Sequence, residues 1–212
     1  FDKQVEMILR ADMRTKRFSS NVTKINEKLN VVKAVGIYGP NNTGKTSFIN
    51  CAKAIKRTLE NKKIRLDANI FTNSSICYES ISFINDDKEY NYEYKFDSNT
   101  HSYIYEKMAE ILRDEYNNAN EEIIFIKDTI KDEYKCPLDI NLQNILNVAS
   151  TNNILIYTLQ IEKFEILQKI KEILTSLANS IEIVDMNNIP NSKTIEMLKN
   201  KKLIIVILLL II

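Results

Sequence analysis

Hydrophobic and polar positions alternate most plainly between residues 76 and 96. Tyr90, Tyr92, Tyr94 and Phe96 fall on one side of an extended segment, and Glu89, Asn91, Glu93 and Lys95 fall on the other. That is the two-residue period of a strand with one buried face. Asn85-Asp86-Asp87-Lys88 has the composition of a tight turn, so Ile81–Ile84 and the tyrosine-bearing run are predicted to pair as an antiparallel hairpin. Tyr103–Ile111 and Ile123–Lys135 extend the same character into a small sheet. The tyrosine row is expected to pack a helix; the competing reading is a stacking platform for bases.

Elsewhere the period is helical. Phe164, Leu167, Ile170, Leu174, Leu177 and Ile181 mark one amphipathic helix over Glu162–Asn179, and Phe48, Ala52, Ile55 and Leu59 mark another. Residues 141–149 and 151–161 read as short helices. Asn187–Ser192 reads as a turn, with Asn191 or Ser192 capping a last helix through Asn200. Val31–Tyr38 is β-branched and apolar, the pattern of a buried strand. The chain closes on ten uninterrupted apolar residues, Leu203–Ile212, preceded by Lys199-Asn200-Lys201-Lys202. A membrane span needs about 20 residues, so this run is too short to cross a bilayer. It is expected to be a truncated or frameshifted end, ahead of a membrane-associating tail.

Composition narrows the class. A chain of 212 residues with 44% hydrophobic and 27% charged residues suits one globular domain, with or without a small lobe. It is rich in Asn, Lys and Ile, a bias that fits codon composition. It opens at Phe1 with no secretory pattern, and is expected to be a fragment or a trimmed chain. Cys51, Cys77 and Cys136 form no CxxC, and His101 is the sole histidine, which argues against a Cys/His metal site. A reducing, cytoplasmic location is expected. The formal charge of +1 hides an asymmetry: residues 1–67 hold 15 Lys/Arg against 6 Asp/Glu, so the first segment is basic and the remainder acidic. Such a segment suits an anionic partner.

The chemistry sits in that segment. Gly39-Pro40-Asn41-Asn42-Thr43-Gly44-Lys45-Thr46 satisfies GxxxxGK[ST], between a predicted strand and a predicted helix. In such a P-loop, successive backbone N–H groups turn inward around a phosphate and the helix N-terminus adds positive potential. Gly39 and Gly44 allow backbone angles that a Cβ would obstruct. Asn42 stands where many such loops have glycine, and Asn tolerates left-handed angles. Lys45, the predicted catalytic residue, is expected to reach the β- and γ-phosphates, Thr46 to ligate Mg²⁺, and Ser47 to donate to the α-phosphate. The expected ligand is ATP with Mg²⁺.

The glycines also exclude. Gly36, Gly39 and Gly44 are the only three in the chain. A DxxG switch after the loop is therefore impossible, and Asn61-Lys62-Lys63-Ile64 lacks the aspartate of a guanine-reading NKxD. The glycine-rich signature of ABC-type ATPases is missing for the same reason. Two strand ends offer an acid for the metal or the attacking water: Ile181–Asp185, followed by Met186, and Ile123–Asp128, with Lys127 interposed. Both fit ordinary strand ends better.

The run Gly36-Ile37-Tyr38-Gly39-Pro40-Asn41-Asn42-Thr43-Gly44-Lys45-Thr46 resembles the loop of bacterial AAA-type ATPases of the ABC-head class, related to RecF, SMC and OLD-family proteins. Ile81-Ser82-Phe83, Tyr94-Lys95-Phe96 and Tyr103–Lys107 are similar to the antiparallel β-lobe of that class. The resemblance implies an α/β fold: a P-loop NTPase core over 1–70, an inserted antiparallel β-lobe over 71–137, a helical part over 138–202 and the apolar tail 203–212. It implies phosphate binding by Gly39, Asn41, Asn42, Thr43, Gly44 and Lys45, and Mg²⁺ at Thr46. It further implies ATP hydrolysis when the protein is complete, a homodimer of heads, and coupling to nucleic acid or a nuclease, in some members for phage defence. The family's Walker B pair, signature and switch histidine have no matching positions, so the chain looks like the N-terminal portion of such an ATPase. The alternative is a non-catalytic nucleotide-binding module; a small-molecule phosphotransferase is a third reading, for which no acceptor base stands out. A membrane partner is not expected.

Overall fold

The computed structural model describes residues 6–11, 19–32, 35–38, 40, 44–62, 74–159, 163–184 and 205–208. Its centre is a five-stranded antiparallel sheet in chain order: β3 (Ile76–Asn85), β4 (Lys88–Asp97), β5 (Ser102–Arg113), β6 (Ala119–Asp128) and β7 (Glu133–Lys135). Before it come β1 (Val22–Lys24) and β2 (Asn30–Val32), paired antiparallel, and helix α1 (Lys45–Leu59). After it come α2 (Ile140–Gln143), two short 3-10 turns (Leu146–Val148 and Leu155–Tyr157), α3 (Glu165–Ser180), β8 (Ile181–Val184) and β9 (Ile205–Leu208). The chain is thus mixed α/β.

The sheet, which contains no glycine, turns its corners with other residues. Asp86 and Asp87, at φ 48° and 61°, form the two-residue β3–β4 loop. Two successive positive φ angles give the turn twist that matches paired strands. The other reversals place His101, Asn117 and Asp132 at φ 52°, 66° and 54°. These residue types, Asn and Asp above all, are enriched in the left-handed region. Asp114 supports its turn by accepting from the Tyr116 and Asn118 amides, both at 2.8 Å.

The tyrosine row lies inward, as its alternation requires. Tyr90, Tyr92, Tyr94 and Phe96 are all buried and share one core with Ile55 and Leu59 of α1 and Leu167, Ile170, Leu174 and Leu177 of α3. Ring pairs run through it: Phe83–Tyr90 at 5.7 Å, Tyr94–Tyr103 at 5.6 Å and Phe96–Tyr103 at 5.1 Å. Each such pair adds about 0.5–1.5 kcal/mol beyond simple burial. Packing, and not base stacking, therefore occupies this face.

Helix α3 starts at Glu165 and ends at Ser180, close to the predicted span. The short helices expected over 141–149 and 151–161 shrink to α2 and the two 3-10 turns. Asn at 141, 144, 147, 152 and 153 competes with the helical backbone for hydrogen bonds, and Asp139 caps only one turn by accepting from the Asn141 and Leu142 amides. The last predicted helix, through Asn200, lies outside the described residues.

Two segments depart from the sequence expectation. The buried strand predicted over Val31–Tyr38 is realised only as Asn30–Val32; residues 35–38 lie outside any strand, with Val35 50%, Ile37 39% and Tyr38 95% exposed. A β-branched apolar run favours an extended backbone, but burial needs a partner layer, and only Val31 and Val32 find a strand partner in β1. In the apolar tail, Ile205–Leu208 forms β9, which runs parallel to β8 in the register Ile181↔Ile205 to Val184↔Leu208. A strand pair satisfies the backbone polar groups that a lone apolar tail would leave open.

Candidate functional site

The loop–helix junction carries the motif. Gly44 is the N-cap of α1 at φ 88°, ψ 6°, left-handed geometry that glycine adopts without a Cβ penalty. The helix then starts at Lys45, and its first in-register bond runs from the Phe48 amide to the Gly44 carbonyl at 3.0 Å. The first amides of any α-helix lack intrahelical acceptors and carry part of the macrodipole's positive end. No acidic residue occupies the first turn and no side-chain cap bond closes it, while Lys56 and Arg57 sit in the last turn. The Lys45 ammonium folds back over the loop and donates to the Pro40 carbonyl at 2.6 Å. Thr46 and Ser47 are exposed beside it.

The structure thus brings Pro40, Gly44, Lys45, Thr46 and Ser47 together at one helix end. Gly39, Asn41, Asn42 and Thr43 lie outside the described residues. The strand that should enter the loop is absent over 35–38, so the local frame is loop and helix without its expected strand.

Of the two candidate acids, the described one is committed elsewhere. Asp128 is buried at the end of β6, where Oδ1 accepts from the Ile130 and Lys131 amides, both at 3.0 Å. It closes the β6–β7 turn. Asp185 lies outside the described residues. Among the described residues, no group of three or more His, Cys, Asp or Glu is placed to hold a metal ion. On this chain, the Mg²⁺ expectation rests on the Thr46 hydroxyl together with the phosphates that a triphosphate would bring.

What the sequence reading missed is a set of ionisable groups beneath the sheet. Glu79, Glu106 and Lys127 are buried, the last two at 1% exposure. Glu106 accepts from the Tyr92 hydroxyl at 2.9 Å and the Leu155 amide at 2.7 Å; Lys127 donates to the Ser150 carbonyl at 2.7 Å. Tyr94 donates to Glu79, and Thr58 of α1 donates to Tyr94 at 3.3 Å. Loss of hydration pushes Glu79 and Glu106 up to about 7 and pushes Lys127 down. The signal was present: Glu79 is in phase with Ile81 and Phe83, and Glu106 with Met108, so both carboxyls sit at inward positions.

These groups are locked into packing and are separate from the loop, which remains the candidate site. Comparison with protein-family models, curated proteins and solved structures returns no match, so the site rests on its own residues.

Proposed function

We propose that the chain binds a nucleoside triphosphate, ATP with Mg²⁺, at the start of α1. The observation that carries this reading is the motif's own geometry: a left-handed Gly44 opens a helix whose first turn holds no acid, beside the Lys45 ammonium. That combination suits a polyphosphate, since backbone amides, helix dipole and lysine all favour negative charge. Lys45 would exchange the Pro40 carbonyl for phosphate oxygens, Thr46 would offer its hydroxyl to the metal, and Gly39, Asn41, Asn42 and Thr43 would complete the cradle. Bound Mg²⁺ would neutralise phosphate charge.

Calorimetry with MgATP on wild type and Lys45→Ala tests the site. Saturable binding by the wild type, weakened at least about tenfold in the variant, supports it; equal binding by both overturns it.

The resemblance to ABC-head ATPases extends the proposal to hydrolysis by the complete, cytoplasmic protein as a homodimer of heads, with a nucleic-acid or nuclease partner. The second reading is a binding module without turnover. Asp128 favours it, because that carboxylate is committed to its own turn. Phosphate release above the Lys45→Ala background decides for turnover, and release at background decides for the module. Among the described residues no helix is long and apolar enough to cross a membrane.

A further inference from the structure

The two edges of the five-stranded sheet are unlike. β7 closes one side with only three residues, and the 3-10 turn at Leu146–Val148 packs beside it. β3 forms the other side over ten residues, in unbroken register with β4 from Ile76↔Asp97 to Asn85↔Lys88. The two-residue turn makes Asn85 and Lys88 a hydrogen-bonded pair, and such pairs then alternate along the ladder. The odd-numbered residues of β3 therefore aim their backbone groups at β4. One step beyond the strand the same phase holds, since the Ser98 amide donates to the Ser75 carbonyl at 2.9 Å. The even-numbered residues aim theirs outward. The Ile76 amide donates to the Ser74 hydroxyl at 3.2 Å. Tyr78, Ser80, Ser82 and Ile84 present theirs at an edge that has no strand partner among the described residues.

Long edges are ordinarily blunted by lysine, proline or a bulge, and β3 has none of these. Its single charge, Glu79, is buried on the inward face. Ser80 and Ser82 both donate to Asn91 Oδ1, at 3.1 and 3.2 Å, so their side chains lean toward β4 and leave the edge clear. The row Tyr78, Ser80, Ser82, Ile84 reads large, small, small, large, with Ile81 at its centre. A two-fold axis at Ile81 sets Tyr78 against Ile84 of the second copy, and Ser80 against Ser82 of the second copy. Large meets large, small meets small, and no like charges oppose each other. An unrelated strand would have to supply that match; a second copy of the chain carries it already. We propose that β3 is a homodimer interface, pairing antiparallel with β3 of a second copy to make one continuous sheet. The pairing uses neither the loop at Lys45 nor a nucleotide.

The test is sedimentation equilibrium of the full chain without nucleotide, for wild type, Ser82→Pro and Tyr78→Lys. Proline at 82 deletes an outward amide, so the β3–β4 ladder keeps its bonds while the two-fold pairing loses one from each copy. Lysine at 78 puts a charge against Ile84 of the second copy, yet can still pair with Glu93, which now accepts from the Tyr78 hydroxyl. The wild type should sediment as a dimer, and each variant should raise the dissociation constant by at least about tenfold. Near-ultraviolet tyrosine dichroism should report both variants as folded. Amide exchange at Tyr78, Ser80, Ser82 and Ile84 of the wild type should slow as protein concentration rises. A wild type that stays monomeric at millimolar concentration overturns the interface, as does a folded variant that dimerises as tightly as the wild type. Protection of the four amides that does not vary with concentration also overturns it, because the chain itself then covers the edge. Should Ser82→Pro fail to fold, Tyr78→Lys decides on the same readouts.

Discussion

The Lys45 ammonium and the Pro40 carbonyl oxygen lie 2.6 Å apart, closing the loop onto its own helix. The contact links the two ends of the motif, and it is weaker for the lysine than a phosphate would be, because a charge-assisted bond to an anion exceeds one to a neutral carbonyl. Lys45→Ala should therefore weaken MgATP binding by about 1.5–3 kcal/mol, on the order of ten- to a hundredfold. Isothermal calorimetry reads this directly. The unfolding midpoint without nucleotide should barely move, since the bond it removes lies at the surface.

Lys127 and Glu106 invite a double-mutant cycle. Lys127→Met removes the donor to the Ser150 carbonyl and the cation nearest Glu106, and should cost about 1–3 kcal/mol in urea unfolding. Adding Glu106→Gln should recover a large part, because the amide still accepts from Leu155 or Tyr92 while the charge is gone. Additive costs would show that the two groups do not sense each other.

The β3–β4 corner is a site for gain. Asp86 and Asp87 hold positive φ with side chains that disfavour it relative to glycine. Asp87→Gly should raise stability by about 0.5–1 kcal/mol, as the two-residue turn prefers glycine at its second position. A denaturant midpoint that falls instead would mean that the Asp87 side chain contributes more than its backbone costs.

On α3, burial and exposure can be contrasted within two turns. Leu174 is fully buried, and Leu174→Ala should cost about 2–5 kcal/mol. Lys169 pairs with Glu165 at 2.9 Å on the exposed side, and Lys169→Ala should change stability by less than about 0.5 kcal/mol. Thermal melts of the two variants should separate clearly.

The sheet and α3 were legible in the sequence because each has a period that admits one reading. Alternation at Tyr90–Phe96 fixed the buried face, Asn85–Lys88 fixed the hairpin, and i, i+3, i+4 spacing from Leu167 to Leu177 fixed the helix. Val35–Tyr38 misled because an apolar run reports a preference for burial without naming what buries it. Glu79, Glu106 and Lys127 escaped because a charged residue in an inward phase reads as noise until its partners arrive from other strands and from α1. At the loop, Gly44 caps a helix that starts at Lys45, while an acid for the proposed hydrolysis had no distinctive spacing to find.

Helix α1 joins two chemically unlike ends. Fifteen residues run from Lys45 at the loop to Leu59, about 22 Å at 1.5 Å per residue, and Thr58 near the far end touches the hydroxyls of Tyr94 and Tyr103. The chain has 10 tyrosines and no tryptophan. Its intrinsic ultraviolet emission is therefore dominated by tyrosine, and three of the emitters, Tyr94, Tyr103 and Tyr157, bond to the helix that begins at the loop. The protein carries a built-in optical probe of any displacement of α1, readable without label or cofactor.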